Sequence, residues 1–294
     1  MIAHLYLCNR SLRWNGTDKL TDFQRKMVGF QKMLECVNKY PEENLLYLFV
    51  DSFMSTEILE NVAMSNVILD YNKALALIGK EAYILLQGVM KHCKATEATI
   101  WDLKEYLSLE DENTCHAVVA FAPLRGLGNH LQVISTEQGW FEFRRHYLGR
   151  YPKTPAFFLS ESKKYYPGLR LHPGNNSTMR DVIHTHPVTI ARYLSALNDC
   201  FAIEYHQSGK DMKEFLPWFA GTHQLEDASL EGSKDEKFYF DFDENGVVLK
   251  AYCEAHLKMY HDDRGSDNRH CRIYFKKPVN GEPYIYVGYI GEHL

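Results

Sequence analysis

The chain has no run near the roughly 18 consecutive apolar residues that a membrane-spanning helix needs, so no membrane partner is expected. Its first ten residues, Met1 to Arg10, lack a basic flank followed by a long apolar core, so a secretory signal is not expected. None of the seven cysteines, at 8, 36, 93, 115, 200, 253 and 271, sits in a Cys-x-x-Cys pair. Scattered and odd in number, they read as thiols of a reducing cytoplasm. There is no Gly-x-Ser-x-Gly elbow, no His-Glu-x-x-His and no Gly-Lys-Ser/Thr loop, which leaves the common hydrolase, metalloprotease and P-loop readings without support. Positive charge is not in excess: 33 Lys+Arg face 38 Asp+Glu, a net of −5, which excludes a globally basic nucleic-acid coat. Internal repeats and low-complexity tracts are also absent.

What is present is an ordinary globular composition, 45% hydrophobic and 24% charged over 294 residues, with 19 Tyr and 16 Phe. The fold class expected is α/β or α+β, with an N-terminal α/β layer over 1–134, a helical basic and aromatic region over 135–222 and a C-terminal antiparallel sheet over 238–294, either as three regions or as one compact body. His4 to Cys8, Leu45 to Val50 and Cys115 to Phe121 read as strands, the second buried on both faces. Phe23, Met27, Phe30, Met33, Leu34 and Val37 mark one face of a helix that Pro41 stops. Ser55 or Thr56 is expected to start a helix, Val67 to His92 to form one helix or two joined near Gly79, and Ala156 to Leu159 a strand. Gly221 to Lys237 reads as a polar linker. Beyond it the period changes to two, and Phe238–Phe242 and Val247–Ala251 predict a hairpin across Asn245-Gly246. Arg272–Phe275 and Tyr284–Ile290 predict a second strand pair.

Between Gly139 and Arg192 nine cations stand against three anions, a local +6, interleaved with aromatics. Cations attract phosphates and aromatic faces stack on unpaired bases, so Arg144, Arg145, Lys163, Lys164, Tyr165 and Arg170 are candidate nucleic-acid contacts. The same pattern fits helices whose aromatics are core and whose cations are solvated. At the C-terminus Glu254, His256 and Lys258 alternate and share one strand face. Arg272 would join them from a neighbouring strand and His293 from the end of the last one. Such a set offers a base, an acid and cations for a phosphate transition state, without any cofactor. An ordinary polar stripe on a half-exposed sheet is the alternative.

Arg272-Ile-Tyr-Phe275, a turn and a closing strand ending Gly288-Tyr-Ile-Gly-Glu-His-Leu294 resemble the C-terminal sheet of RelE-superfamily toxin ribonucleases. They are also similar to the ends of bacterial proteins associated with toxin and phage-defence loci. The resemblance spans about the last 57 residues. It implies a compact sheet whose Arg, Lys, Glu and His side chains cut RNA without a metal, with Arg272, Lys258, Glu254 and His293 in those roles. It also implies a cytoplasmic effector with RNA as partner, and a protein partner such as an antitoxin. From Phe238 on, seven Lys+Arg face nine Asp+Glu, so RNA affinity would have to come from the middle segment.

Three weaker constellations remain. Cys253, His256, His270 and Cys271 would need a turn to share a zinc ion. His184-Thr-His186 precedes a helix beginning at Pro187, where anions bind. Arg125-Gly-Leu-Gly-Asn-His130 follows a strand, and Asp51 ends another, which would suit a nucleotide- or phosphate-handling enzyme at the strand ends. A non-catalytic nucleic-acid- or partner-binding regulatory subunit fits the same residues.

Overall fold

The structure, a computed structural model, describes residues 1–123, 131–232, 235–267, 270–282 and 284–294. It is mixed α/β, as expected, and divides into two compact units, Met1–Phe143 and Arg144–Leu294.

The first unit is built on a parallel sheet of β1 (Ile2–Cys8), β2 (Asn44–Leu48), β3 (Lys94–Ala95), β4 (Thr114–Ala120) and β5 (Val133–Ile134). The strands lie in the order β3-β2-β1-β4-β5, every neighbouring pair parallel. That order reverses direction at β1, the arrangement of doubly wound nucleotide-binding folds. Helix α1 (Leu20–Asn38) buries the six apolar residues that its periodicity singles out. Helix α2 (Lys80–His92) packs against it, and α3 (Ile100–Tyr106) is capped by the Thr99 side chain.

Two local expectations are corrected in this unit and a third is refined. Strand β2 alternates buried and half-buried residues, because Leu45 and Tyr47 lie on a face that is only partly covered. Ser55 and Thr56 end the short helix Val50–Met54, and Glu57–Leu59 is a strand that turns back at Asn61. From Val67 to His92 the chain forms two helices joined near Gly79, Tyr71–Leu77 and α2, as the second of the two expectations has it, while Val67 and Ile68 end a short helix before them. Asp70 caps a new helix by accepting from the Lys73 N–H, and Gly79, at φ +82°, breaks the chain before α2. The glycine loop at 125–130 lies outside the described residues.

Helix α4 (Glu137–Arg150) runs across the boundary between the units, and the second unit also has α5 (Pro155–Tyr165), a short helix Asn175–Thr178, α6 (Pro187–Ala196), a π-helical turn at Leu197–Phe201, α7 (Ala202–Ser208) and α8 (Met212–Thr222). The strand expected at Ala156–Leu159 is instead the start of α5. Thr154 caps it through the Phe157 N–H at 3.2 Å, and Pro155 suits its first turn. The sheet runs β6 (Leu169–Leu171), β12 (Ile285–Gly291), β11 (Cys271–Phe275), β10 (Ala255–Met259) and β7 (Asp227–Leu230). Strand β7 sits inside the stretch expected to be a linker. Its Ala228 and Leu230 join the apolar face, while Asp227 and Ser229 point the other way.

One face of this sheet, carrying Ala255, Leu257, Ile273, Phe275 and Ile290, forms a single core with α5, α6 and α8. The expected middle and C-terminal regions therefore share one hydrophobic core. On the opposite face lies the hairpin β8 (Tyr239–Glu244) and β9 (Val247–Tyr252). Asn245 and Gly246 at its turn both have positive φ, 57° and 86°, as a type I′ turn requires. Phe242 and Phe238 pack on Tyr274 and Tyr286. The hairpin approaches so closely that a Cβ built on Gly288 would stand 2.3 Å from the Phe240 ring.

Candidate active site

Beside the apolar contact with the hairpin, cross-strand register assembles a polar cluster. Residues Ser229, His256, Tyr274 and Tyr289 form one row across β7, β10, β11 and β12. Asp227, Lys258, Arg272 and Gly291 form the next. The alternation of His256 and Lys258, with Arg272 alongside, thus appears as the sequence implied. Glu231, just past β7, reaches the centre. Its Oε1 accepts from the Tyr274 hydroxyl at 2.7 Å and from Arg272 at 3.0 Å. Arg272 also donates to the Tyr274 oxygen at 3.1 Å. Lys258 donates to Asp227 at 2.9 Å, and the Tyr260 hydroxyl donates to the same Asp227 oxygen at 2.8 Å.

His256 is buried, 2% exposed, and both ring nitrogens are engaged. Nδ1 lies 3.1 Å from the Glu254 carbonyl, which can only accept, so the proton is assigned to Nδ1. Nε2 then accepts from Ser229 Oγ at 3.1 Å. Burial is the main reason its pKa lies below the ordinary 6.5, although the Glu254 carbonyl and Glu231 pull the other way. Burial pushes the Glu231 carboxyl up, but the Tyr274 hydroxyl, His256, Arg272 and His293 outweigh it and hold Glu231 below the usual carboxylate range. Tyr274, pushed up to about 12 by burial and then by Glu231, keeps its proton.

Two assignments are revised by these positions. A group with no access to solvent cannot meet a polymer, so His256 and the equally buried Tyr274 position the cluster from beneath. Glu254 precedes β10 rather than belonging to it; its carboxylate accepts from Tyr252 at 3.2 Å, and its carbonyl orients His256. Glu231, Lys258 and Arg272 reach the surface, each about one-fifth exposed, as do the more exposed Asp227 that holds Lys258 and the exposed His293. Glu231 was missed because it falls in the polar stretch read as a linker. The available signal was the alternation of Asp227, Ser229 and Glu231 with Ala228 and Leu230.

The basic segment is corrected more deeply. Arg144, Arg145 and Tyr165 are buried and are not a nucleic-acid face. Arg144 donates to the Tyr165 hydroxyl at 2.7 Å and lies 3.6 Å from Glu161. Arg145 grips Asp199 with two bonds, at 2.6 and 3.1 Å, and donates to the Tyr165 carbonyl. Lys164 pairs with Glu161 at 2.6 Å. Arg170 lies over the Tyr284 ring and near Glu244. Of the six, Lys163 stands exposed. Tyr165 is core, and four of the five cations named, Arg144, Arg145, Lys164 and Arg170, are buried or paired.

The proposed zinc quartet does not converge: Cys253 belongs to the hairpin contact and Cys271 to the helix-facing core, on opposite sides of the sheet. The first turn of α6 is already occupied by Asp263, whose carboxylate accepts from the Val188 and Thr189 N–H groups at 2.7 and 3.0 Å. His186 is buried and contacts Thr185.

In the first unit a cleft of about 1150 Å³ opens at the carboxyl ends of the parallel strands. Tyr6, Arg10, Phe49, Asp51 and Glu97 are among its lining residues. Asp51, singled out from the sequence, is exposed there. Arg125 and His130 lie outside the described residues.

Comparison of the chain with protein-family patterns, curated proteins and solved structures gives no match. Among the described residues no helix is long and apolar enough to cross a membrane.

Proposed function

We propose that the second unit cleaves RNA by metal-independent acid–base chemistry. The observation that carries this reading is the pairing of Lys258 and Arg272 across adjacent strands, with the Glu231 carboxylate held against Arg272. Two neighbouring cations suit a phosphate whose charge grows in the transition state. Glu231 takes the proton from the 2′-hydroxyl, whose oxygen attacks phosphorus. His293 donates a proton to the departing 5′-oxygen. The products are a 2′,3′-cyclic phosphate and a 5′-hydroxyl. Tyr274 and His256 hold Glu231 and Arg272 in place from below. The burial of Arg144, Arg145 and Tyr165 removes the extended RNA face expected from the sequence, so affinity rests on the cluster itself and on Lys163. A cytoplasmic effector of a toxin or phage-defence system, with an antitoxin as protein partner, is the setting that the RelE resemblance implies.

The test is cleavage of an RNA oligonucleotide and of the same strand carrying one 2′-deoxy residue at the cut position, each with and without chelator. Chelator-resistant cutting of the all-RNA strand, leaving a cyclic phosphate, with the substituted strand intact, is expected. Equal cutting of both strands, or loss of activity with chelator, refutes the mechanism.

The cleft in the first unit favours a second reading, in which the chain binds a nucleotide or a smaller phosphate ester. Sheets with this strand order bind ligands at the carboxyl ends of their strands, and the volume suits a small molecule. The connection from β1 to α1, residues 9–19, has a single glycine, Gly16, and not the glycine-rich turn that close approach of a dinucleotide diphosphate needs. Arg10 would meet phosphate, Asp51 the ribose hydroxyls and Phe49 the base. Thermal shift by mononucleotides, lost in Asp51→Ala, is the expected outcome. No shift at millimolar nucleotide counts against this reading.

A further inference from the structure

The helical layer of the second unit holds a side-chain constellation that the RNA-cleaving cluster does not use. Cys200 belongs to the π-helical turn Leu197–Phe201, Glu204 to α7, and His223 follows α8. Their ligand atoms, one sulfur, one carboxylate oxygen and one imidazole nitrogen, all lie within 4.8 Å of one another. All three side chains are half-buried.

The backbone explains how they meet. A π-turn adds a residue to a helix and rotates everything beyond it, and such turns gather at functional sites. Here consecutive residues of the turn serve separate partners. Asn198 accepts from the Gly168 N–H at 2.8 Å, and Asp199 holds Arg145. Cys200 and Glu204, one turn apart, then face the end of α8. There Phe219 lies against the His223 ring, centroid to centroid 4.3 Å, and Glu204 bonds its Nε2 at 2.8 Å.

We propose that Cys200, Glu204 and His223 bind a zinc ion. Thiolate, imidazole and carboxylate are the three ligand types that zinc takes, and three protein ligands leave a fourth tetrahedral position for water or a further ligand. A tetrahedral zinc holds its nitrogen and oxygen ligands about 3.3 Å apart and its sulfur about 3.6 Å from each. The Glu204–His223 pair has to open by about half an ångström, and the sulfur has to close by about one at most. Side-chain rotation supplies both movements. The ion replaces the direct Glu204–His223 bond and takes up the Cys200 sulfur as thiolate, with the thiol proton released to solvent.

The experiment is titration of the full-length protein, first treated with chelator and reductant, with cobalt(II) as the spectroscopic stand-in for zinc. Expected are one equivalent bound, the visible bands of a tetrahedral site, a near-ultraviolet thiolate-to-cobalt band, and reversal by one equivalent of zinc. Cys200→Ser is expected to abolish the charge-transfer band. Glu204→Gln, which keeps the side-chain size and so the packing, is expected to weaken zinc by at least about 10-fold. Cys93→Ser, in the other unit, is expected to change nothing. Circular dichroism confirms that each variant is folded. Absence of binding at micromolar metal by the wild type, or a thiolate band that survives Cys200→Ser, overturns the proposal. RNA cleavage by the Cys200→Ser protein is expected to persist, which keeps this site separate from the cluster on the sheet.

Discussion

Glu231→Gln is expected to lower RNA cleavage by about 10²–10⁴-fold, the usual contribution of a positioned general base. The amide keeps the shape and can still accept from Tyr274 and Arg272, so stability should change little while the proton acceptor is gone. Arg272→Ala is expected to fall in the same range, since it removes a cation from the phosphate and a donor from Glu231. The pH profile separates these roles. Glu231 must be ionised to act, and its pKa lies below the ordinary carboxylate value because Tyr274, His256, Arg272 and His293 outweigh burial. Activity should therefore survive acidification past the point where an unperturbed glutamate protonates. In Arg272→Ala one of those influences is gone, so the acid limb of the residual activity should move to higher pH. Measured kcat/KM against pH for wild type and variant checks this. An unmoved acid limb would remove Glu231 from the role of base.

Arg145→Ala is expected to destabilise the second unit by about 3 kcal/mol in urea unfolding, because truncating one side of a buried ion pair strands its partners. The Asp199 carboxylate loses both guanidinium bonds and keeps the Asn198 amide at 2.6 Å, and the Tyr165 carbonyl loses the Arg145 donor. Lys163→Ala, at an exposed position, should stay within about 0.5 kcal/mol. If the two changes were equal, Arg145 would not be the structural pin that its burial implies. Nucleic-acid affinity at a permissive temperature should respond in the opposite sense, falling in Lys163→Ala and not in Arg145→Ala, since a buried guanidinium neutralises no phosphate.

The contrast between these arginines and the sheet cluster marks where local pattern carries information. Helix α1 and the hairpin were legible because each buries one face of a single element. The spacing of Phe23 through Val37 and the Asn245-Gly246 turn carry their own geometry. Alternation also placed His256 and Lys258 on one face, since a strand has a period of two whatever it packs against. Ala156 to Leu159 misled because a short apolar run fits strand and helix alike. The cap at Thr154 and the proline after it decided for helix.

Sequence by itself determined the fold class, the main amphipathic elements and the face that carries Lys258 and Arg272. Only the tertiary structure decided which charges meet. Burial of Arg144 and Arg145 follows from partners 17 to 54 positions away, Glu161 and Asp199. Glu231 enters the site because β7 pairs with β10, a register fixed by long-range hydrogen bonds. Cys200, Glu204 and His223 converge through a π-turn and a helix end. A charge pattern specifies how many cations a segment has. Whether each is solvated, paired or buried depends on the surface that folds against it, and that surface is distant in the chain.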